Sequence, residues 1–155
     1  MTNEATLALG VQLLVGVCLG LVWAHLAPRP PAVWATTVWA SEADLGFGAG
    51  ADAWFAVLGA GAGLAVGVYL TARAGQAKAL SRLFWWLAGA ALGSGTAYLT
   101  GLLATGSFGA VAEVGQAVPA APLGLTSLGA SLVWPVMAMA VTALASALHA
   151  LFSRP

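Results

Sequence analysis

The chain has 155 residues, of which 61% are hydrophobic and only 6% are charged, and it contains 20 glycines. A water-soluble domain carries about 25% charged residues, so five basic and five acidic side chains cannot cover a globule of 15.4 kDa in water. The composition therefore excludes a soluble monomer, and it excludes disorder, which needs low hydrophobicity and high net charge. Nucleic-acid binding is not expected, because no cluster of Lys and Arg could neutralise phosphates.

Four long apolar segments predict an all-α fold, a single domain over residues 1–155 built as an integral membrane bundle of four transmembrane helices. We expect the helices at residues 5–27, 53–72, 83–104 and 125–152. At 1.5 Å per residue the first segment spans roughly 34 Å, enough for a hydrocarbon core of about 30 Å. The residues before it are acidic rather than basic, which favours a retained helix over a cleaved signal peptide.

Basic residues are divided unequally between the two predicted sides of the membrane. Arg73, Lys78 and Arg82 lie in the connection between the second and third segments, and Arg154 is in the C-terminal tail on the same side. The opposite side has only Arg29. Because cytoplasmic loops are enriched in Lys and Arg, we expect both termini in the cytoplasm. The predicted localisation is the cell (inner or plasma) membrane, with the lipid bilayer as surroundings.

Aromatic residues near the segment ends, among them Trp23, Trp54 and Phe84, are typical of the belt at a membrane–water interface. The two predicted outer loops, residues 30–51 and 105–124, are too apolar and too long to be structureless in a compact protein. The first loop has the composition of a short hairpin or of a segment lying on the headgroups. We expect both loops to be partly structured and to pack on each other or on a partner.

Small residues recur at a spacing of four in three of the segments. The glycines in these series are Gly16, Gly20, Gly59, Gly63, Gly67, Gly89 and Gly93. Such a series forms a flat groove on a helix and lets a neighbouring backbone approach closely. The grooves fit either the internal core or docking to another protein. For the second segment we expect the internal core, and three such helices leave room for one groove that faces outward.

Polar residues inside the segments are few. Asp52 precedes the second segment and is predicted to cap its first turn. Pro135, inside the fourth segment, is predicted to kink that helix and to free the carbonyl of Ser131, four residues earlier. Gln12 is the best polar candidate within a span, and we expect its amide to donate an inter-helix hydrogen bond rather than to contact a ligand.

Metal and cofactor sites are not expected. Glu42, Asp44 and Asp52 could bind a divalent cation weakly, but a helix cap and two solvated acids are the simpler interpretation. His25 and His149 each lie near the C-terminal end of a predicted helix, but on opposite sides of the bilayer, so they cannot share a metal or a haem. No acidic or basic residue lies inside a predicted span, whereas ion coupling and intramembrane proteolysis need such groups.

Three stretches, taken together, resemble an actinobacterial family of small four-helix membrane proteins that is defined only as a domain of unknown function. The stretches are residues 20–29 (GLVWAHLAPR), 50–59 (GADAWFAVLG), and 122–125 (PLGL) followed by 132–135 (LVWP). The resemblance implies a four-span inner-membrane protein with an acidic outer loop. It implies no activity and no catalytic residue, and it directs attention to Asp52, Trp134 and Pro135.

The sequence leaves three functions open. The favoured one is a non-catalytic accessory or interaction protein that associates with itself or with a larger membrane complex. The alternative is a small transporter or channel component, which would have to oligomerise because narrow glycine-rich helices pack without a pathway. A lipid-modifying or cofactor-bearing enzyme is the least favoured, because no acid–base pair or ligand set converges at one depth.

Overall fold

The computed structural model of this chain describes residues 3–35, 38–40, 47–74, 78–108 and 113–152. The predicted acidic group at Glu42 and Asp44 and the tail charge of Arg154 lie outside them.

Four helices carry the fold over the described residues, as the sequence predicted. They are α1 (Asn3–Leu26), α2 (Phe47–Ala72), α3 (Ala79–Ala104) and α4 (Leu128–Phe152). Each is long and apolar enough to cross a membrane. A helix satisfies its backbone N–H and C=O groups internally, and α1 ends just before Pro28, which lacks the donor needed to continue the helix.

α2 and α3 begin four or more residues earlier than predicted, and two expectations are wrong as a result. α2 begins at Phe47 rather than at residue 53, so Asp52 lies inside the helix and does not cap it. α3 begins at Ala79 rather than at residue 83, so Arg82 belongs to its first turn and not to the connection. In both cases a polar residue continues the helix because another element supplies a partner for its side chain.

The helices form two parallel pairs, α1 with α3 and α2 with α4, and the contact between α3 and α4 joins the pairs. Glu4 contacts Arg82 at one end of the first pair, and Trp23 contacts Gly101 at the other end. We call the end that contains Arg82 the Arg82 end. α1 and α2 make few contacts with each other, and so do α2 and α3. The fold therefore depends on pairing between non-consecutive helices.

The opposite end, which we call the sheet end, carries a small antiparallel sheet. Its strands are β1 (Ala32–Ala35), β2 (Val38–Ala40) and β3 (Ala117–Val118), in the order β2-β1-β3. The β1–β2 hairpin belongs to the first loop and β3 to the second, with Ala32 opposite Val118. The expectation that the two outer loops pack on each other is confirmed for the described residues, and the sheet is a minor addition to an otherwise helical fold.

Trp23 does not belong to an exposed aromatic belt, and that expectation is wrong for this residue. Its side chain is fully buried near the sheet end. The indole Nε1 donates a 2.8 Å hydrogen bond to the carbonyl of Ala51, and the ring packs edge-on against Phe55 at a centroid distance of 4.9 Å. A buried indole needs an acceptor for its N–H, and Ala51 supplies it inside the fold.

We expect Gly63→Ala to destabilise the α2–α4 pair. A Cβ at residue 63 would collide with the backbone carbonyl oxygen of Trp134, and backbone cannot move aside as a flexible side chain can. The expected loss in the free energy of unfolding is about 1–3 kcal/mol, measured by unfolding in mixed detergent micelles. Gly61→Ala is the matched control, because nothing lies within 4 Å of a Cβ at that position of the same helix. Equal stability of the two variants would contradict this explanation.

Candidate functional site

The glycines singled out in α1 and α3 lie where these two helices meet. A Cβ at Gly16 would collide with the backbone of Gly93, and one at Gly20 would collide with the carbonyl oxygen of Ala97. A Cβ at Gly89 would lie 3.0 Å from Cγ of Gln12. The two backbones are therefore too close for larger residues at Gly16 and Gly20, and this surface is occupied by the protein's own helices.

In α2, the series Gly59, Gly63 and Gly67 faces α4, but its members are not equivalent. Cβ atoms at Gly63 and Gly67 would meet the carbonyl oxygen of Trp134 and, at 2.6 Å, Cβ of Val141. A Cβ at Gly59 would lie 3.5 Å from the backbone nitrogen of Trp134, an ordinary van der Waals distance. Close approach requires glycine at Gly63 and Gly67, whereas Gly59 has room for a methyl group.

Trp134 connects the two helix pairs. Its backbone lies against Gly59 and Gly63 of α2, and the tip of its ring would be 3.0 Å from a Cβ at Gly93 of α3. Only 2% of the residue is exposed. Its Nε1 has no hydrogen-bond partner within the described stretches, so the contribution of the side chain is its shape. The large flat ring of Trp134 fills the space between its backbone contact with α2 at Gly59 and Gly63 and its ring contact with α3 at Gly93.

Pro135 follows directly and lies inside α4, where it creates a second link between α3 and α4. A proline has no N–H, so the carbonyl of Ser131 lacks its usual donor within the helix. The buried hydroxyl of Ser94 in α3 donates to this carbonyl at 2.6 Å. Pro135 leaves the Ser131 carbonyl without a donor in its own helix, as predicted. The hydroxyl of Ser94 in the neighbouring helix takes the place of that donor, and the sequence did not indicate this bond.

The Ser94–Ser131 bond predicts a coupled effect. Ser94→Ala should lower the free energy of unfolding by about 0.6–1.5 kcal/mol, the range for such bonds in membrane proteins and in water. In a Pro135→Ala background the new backbone N–H supplies a donor to Ser131, so Ser94→Ala should then cost much less. A double-mutant cycle in mixed micelles measures the coupling. Thr96→Ala is the control, because that hydroxyl donates only to Leu92 of its own helix. Additive effects would show that Ser94 does not replace the missing donor.

Asp52 holds the start of α4 from its position inside α2. Its Oδ1 accepts the backbone N–H of Thr126 at 2.9 Å. Its Oδ2 accepts the hydroxyl of Thr126 at 2.6 Å and the backbone N–H of Ser127 at 2.8 Å. The hydroxyl of Ser127 in turn accepts from the N–H of Gly129, as an N-cap residue does. Asp52 therefore fixes the direction in which the chain enters α4.

We expect Asp52→Ala to lower the free energy of unfolding by about 1.5–3 kcal/mol, because bonds to a charged acceptor are lost. Asp52→Asn should be nearly as damaging, since an amide has one acceptor oxygen in place of two. Faster hydrogen exchange at the amides of Thr126 and Ser127 would locate the effect at the start of α4. Glu113→Gln removes an acid from the same end as a control. Unchanged exchange at these two amides would contradict the assigned role.

Arg82 forms the corresponding link at the opposite end, and the sequence reasoning missed it. Its Nη2 lies 2.8 Å from Oε1 of Glu4 at the start of α1, and its Nη1 donates to the carbonyl of Arg73 at the end of α2. The Arg82 side chain is 8% exposed and that of Glu4 is 41% exposed. The expectation that no ionisable side chain is buried in a span is wrong for Arg82, because α3 begins before it.

Two further residues were missed or misjudged. Gly101 accommodates the ring of Trp23, and extending the Gly89, Gly93, Ala97 series by four residues would have found it. Gln12 is 1% exposed, yet its Nε2 has no partner among the described residues. The predicted inter-helix bond donated by this amide is therefore wrong within those residues. Gln12 packs against Gly89 through Cβ and Cγ of its side chain, and against Gly93 through its backbone carbonyl.

The structure brings no group of three or more His, Cys, Asp or Glu together as a possible metal site within the part of the chain that it describes.

Comparison of the chain with protein-family models, curated proteins and solved structures finds no match. The resemblance to the four-helix family stays a prediction from the sequence.

Proposed function

We propose that this protein is a non-catalytic membrane protein of the cell membrane with both termini in the cytoplasm. In this proposal it serves as an accessory or interaction subunit that associates with itself or with a larger membrane complex. The placement in lipid is supported by large apolar side chains that point away from the bundle on several helices. Leu14, Leu103 and Leu144 are each more than 60% exposed, and in a bilayer lipid tails would cover them.

The observation that carries the non-catalytic part is the use of the polar side chains in holding helices together. Asp52 binds the start of α4, Ser94 binds Ser131, and Arg82 binds Glu4 and the end of α2. General acid–base or nucleophilic catalysis needs such groups in reach of a substrate and of one another. Here they are far apart along the bundle, and each one bonds to a neighbouring helix or loop.

Transport through a single copy is disfavoured by the tight contact of the helices. Between α1 and α3, and between α2 and α4, backbones touch at Gly16, Gly20 and Gly63. The hollow beside Trp134 that Leu19, Phe55 and Ala97 help to line has a volume of only about 10 Å³, roughly the space of one water molecule. A transporter or channel role would therefore need a pathway between copies.

Purification of the tagged full-length chain in mild detergent tests the proposal. We expect a stoichiometric protein partner, or a homo-oligomer of defined mass by light scattering. An unrelated four-span protein with the same tag is the control for non-specific capture. A partner-free monomer that keeps its folded state would overturn the interaction function. An oligomer that conducts ions or solutes in liposomes would favour the transport alternative instead.

A further inference from the structure

A crevice opens at the Arg82 end, where α2 ends, α3 begins and α4 passes beside them. Its volume is about 210 Å³. The polar residues that line it are Arg73, Arg82, Thr142 and Ser146. A second hollow of about 500 Å³ shares Ala74 and Ser146 with it and extends to His149.

Two arginines give this crevice a basic lining. Arg73 and Arg82 both line it, whereas Glu4 is the one acid at this end among the described residues, and it is bound to Arg82. The described acids Asp52 and Glu113 belong to the sheet end. The hydroxyls of Thr142 and Ser146 donate to carbonyls of their own helix. A guanidinium has five N–H donors, so Arg82 can contact an anion while it stays bonded to Glu4 and to the carbonyl of Arg73.

The other walls of the crevice are apolar. Leu70, Leu80 and Leu83 line it beside the two arginines, and 83% of Leu80 is exposed. Arg73 itself lies over the ring of Tyr69, with Cζ 5.7 Å from the ring centroid. A pocket for a free anion needs only donors, whereas this one places guanidinium groups next to leucines. That combination matches an anionic headgroup with acyl chains attached.

We propose that the crevice binds the phosphate headgroup of an anionic phospholipid of the cytoplasmic leaflet, with the acyl chains lying along Leu80 and Leu83. Arg73 and Arg82 bind the phosphate oxygens, and Arg82 does so while it remains paired with Glu4. The proposal rests on the proposed orientation, which places the Arg82 end at the cytoplasmic surface. Basic pockets between transmembrane helices on that side are suited to anionic headgroups.

Native mass spectrometry of the full-length protein in mild detergent tests this site. The probes are phosphatidylglycerol and phosphatidylcholine with identical acyl chains, and inorganic phosphate alone. We expect the wild type to retain phosphatidylglycerol in preference to phosphatidylcholine. Arg73→Gln should reduce this preference about five-fold, the effect of about one charge at a lipid headgroup. Arg73 is chosen because Arg82→Gln would also break the bond to Glu4.

Two controls separate a local site from diffuse charge. Lys78→Gln removes a charge from the same end at a residue that does not line the crevice, and Arg29→Gln removes one at the sheet end. Both should keep the preference within about two-fold of the wild type. An equal loss in Lys78→Gln and Arg73→Gln would overturn the site. Displacement of the lipid by inorganic phosphate, without any preference for phosphatidylglycerol, would show a soluble anion as the ligand and overturn the lipid assignment.

Orientation is measured separately, so that the two proposals can fail independently. In a Cys18→Ser background, K78C should react with a membrane-impermeant maleimide only after the cells are permeabilised, whereas V114C should react in intact cells. The reverse labelling pattern would overturn the proposed orientation. Any lipid binding seen in detergent would then no longer be assigned to the cytoplasmic leaflet. The expected labelling without any lipid preference would overturn the crevice site alone.

Discussion

Close backbone contact at glycine is the constraint on which the rest of this structure depends. For helices in lipid, apolar burial gives no driving force for association, because lipid tails are as apolar as the side chains they would replace. In the membrane placement that we propose, packing of the four described helices therefore comes from contact at short range. Gly16, Gly20 and Gly63 allow that contact, since a methyl group at any of them would collide with the backbone of the neighbouring helix. Large apolar side chains remain on the outside as a consequence.

The polar links act on helices whose spacing the glycines already fix. Asp52 and Arg82 lie near opposite ends, and each ties its own helix to a different part of the chain. Ser94 does the same near the middle, where Pro135 has removed the in-helix donor. These links determine how the helices are aligned along their lengths and in which direction the chain enters them, whereas the glycine contacts determine the distance between helices. The proposed binding role is supported by this use of the polar side chains.

The two ends of the bundle differ in what they offer to other molecules. At the sheet end the two loops pair with each other, Trp23 of α1 bonds to Ala51 of α2, and Asp52 of α2 bonds to the start of α4. At the Arg82 end, α4 continues to Phe152 with much of its surface exposed, and a basic crevice lies beside it. The inference of a lipid headgroup site follows from this difference, because charge and apolar surface meet at the second end.

Long uncharged runs by themselves determined the four described helices, and small residues four apart indicated where backbones could approach, since both patterns act locally along one helix. Only the tertiary structure decided that Gly63 cannot take a methyl group while Gly59 can. It likewise decided that Glu4 pairs with Arg82 and that Asp52 serves α4 rather than α2. These outcomes depend on which helices become neighbours, and periodicity cannot assign helix faces when every face is apolar.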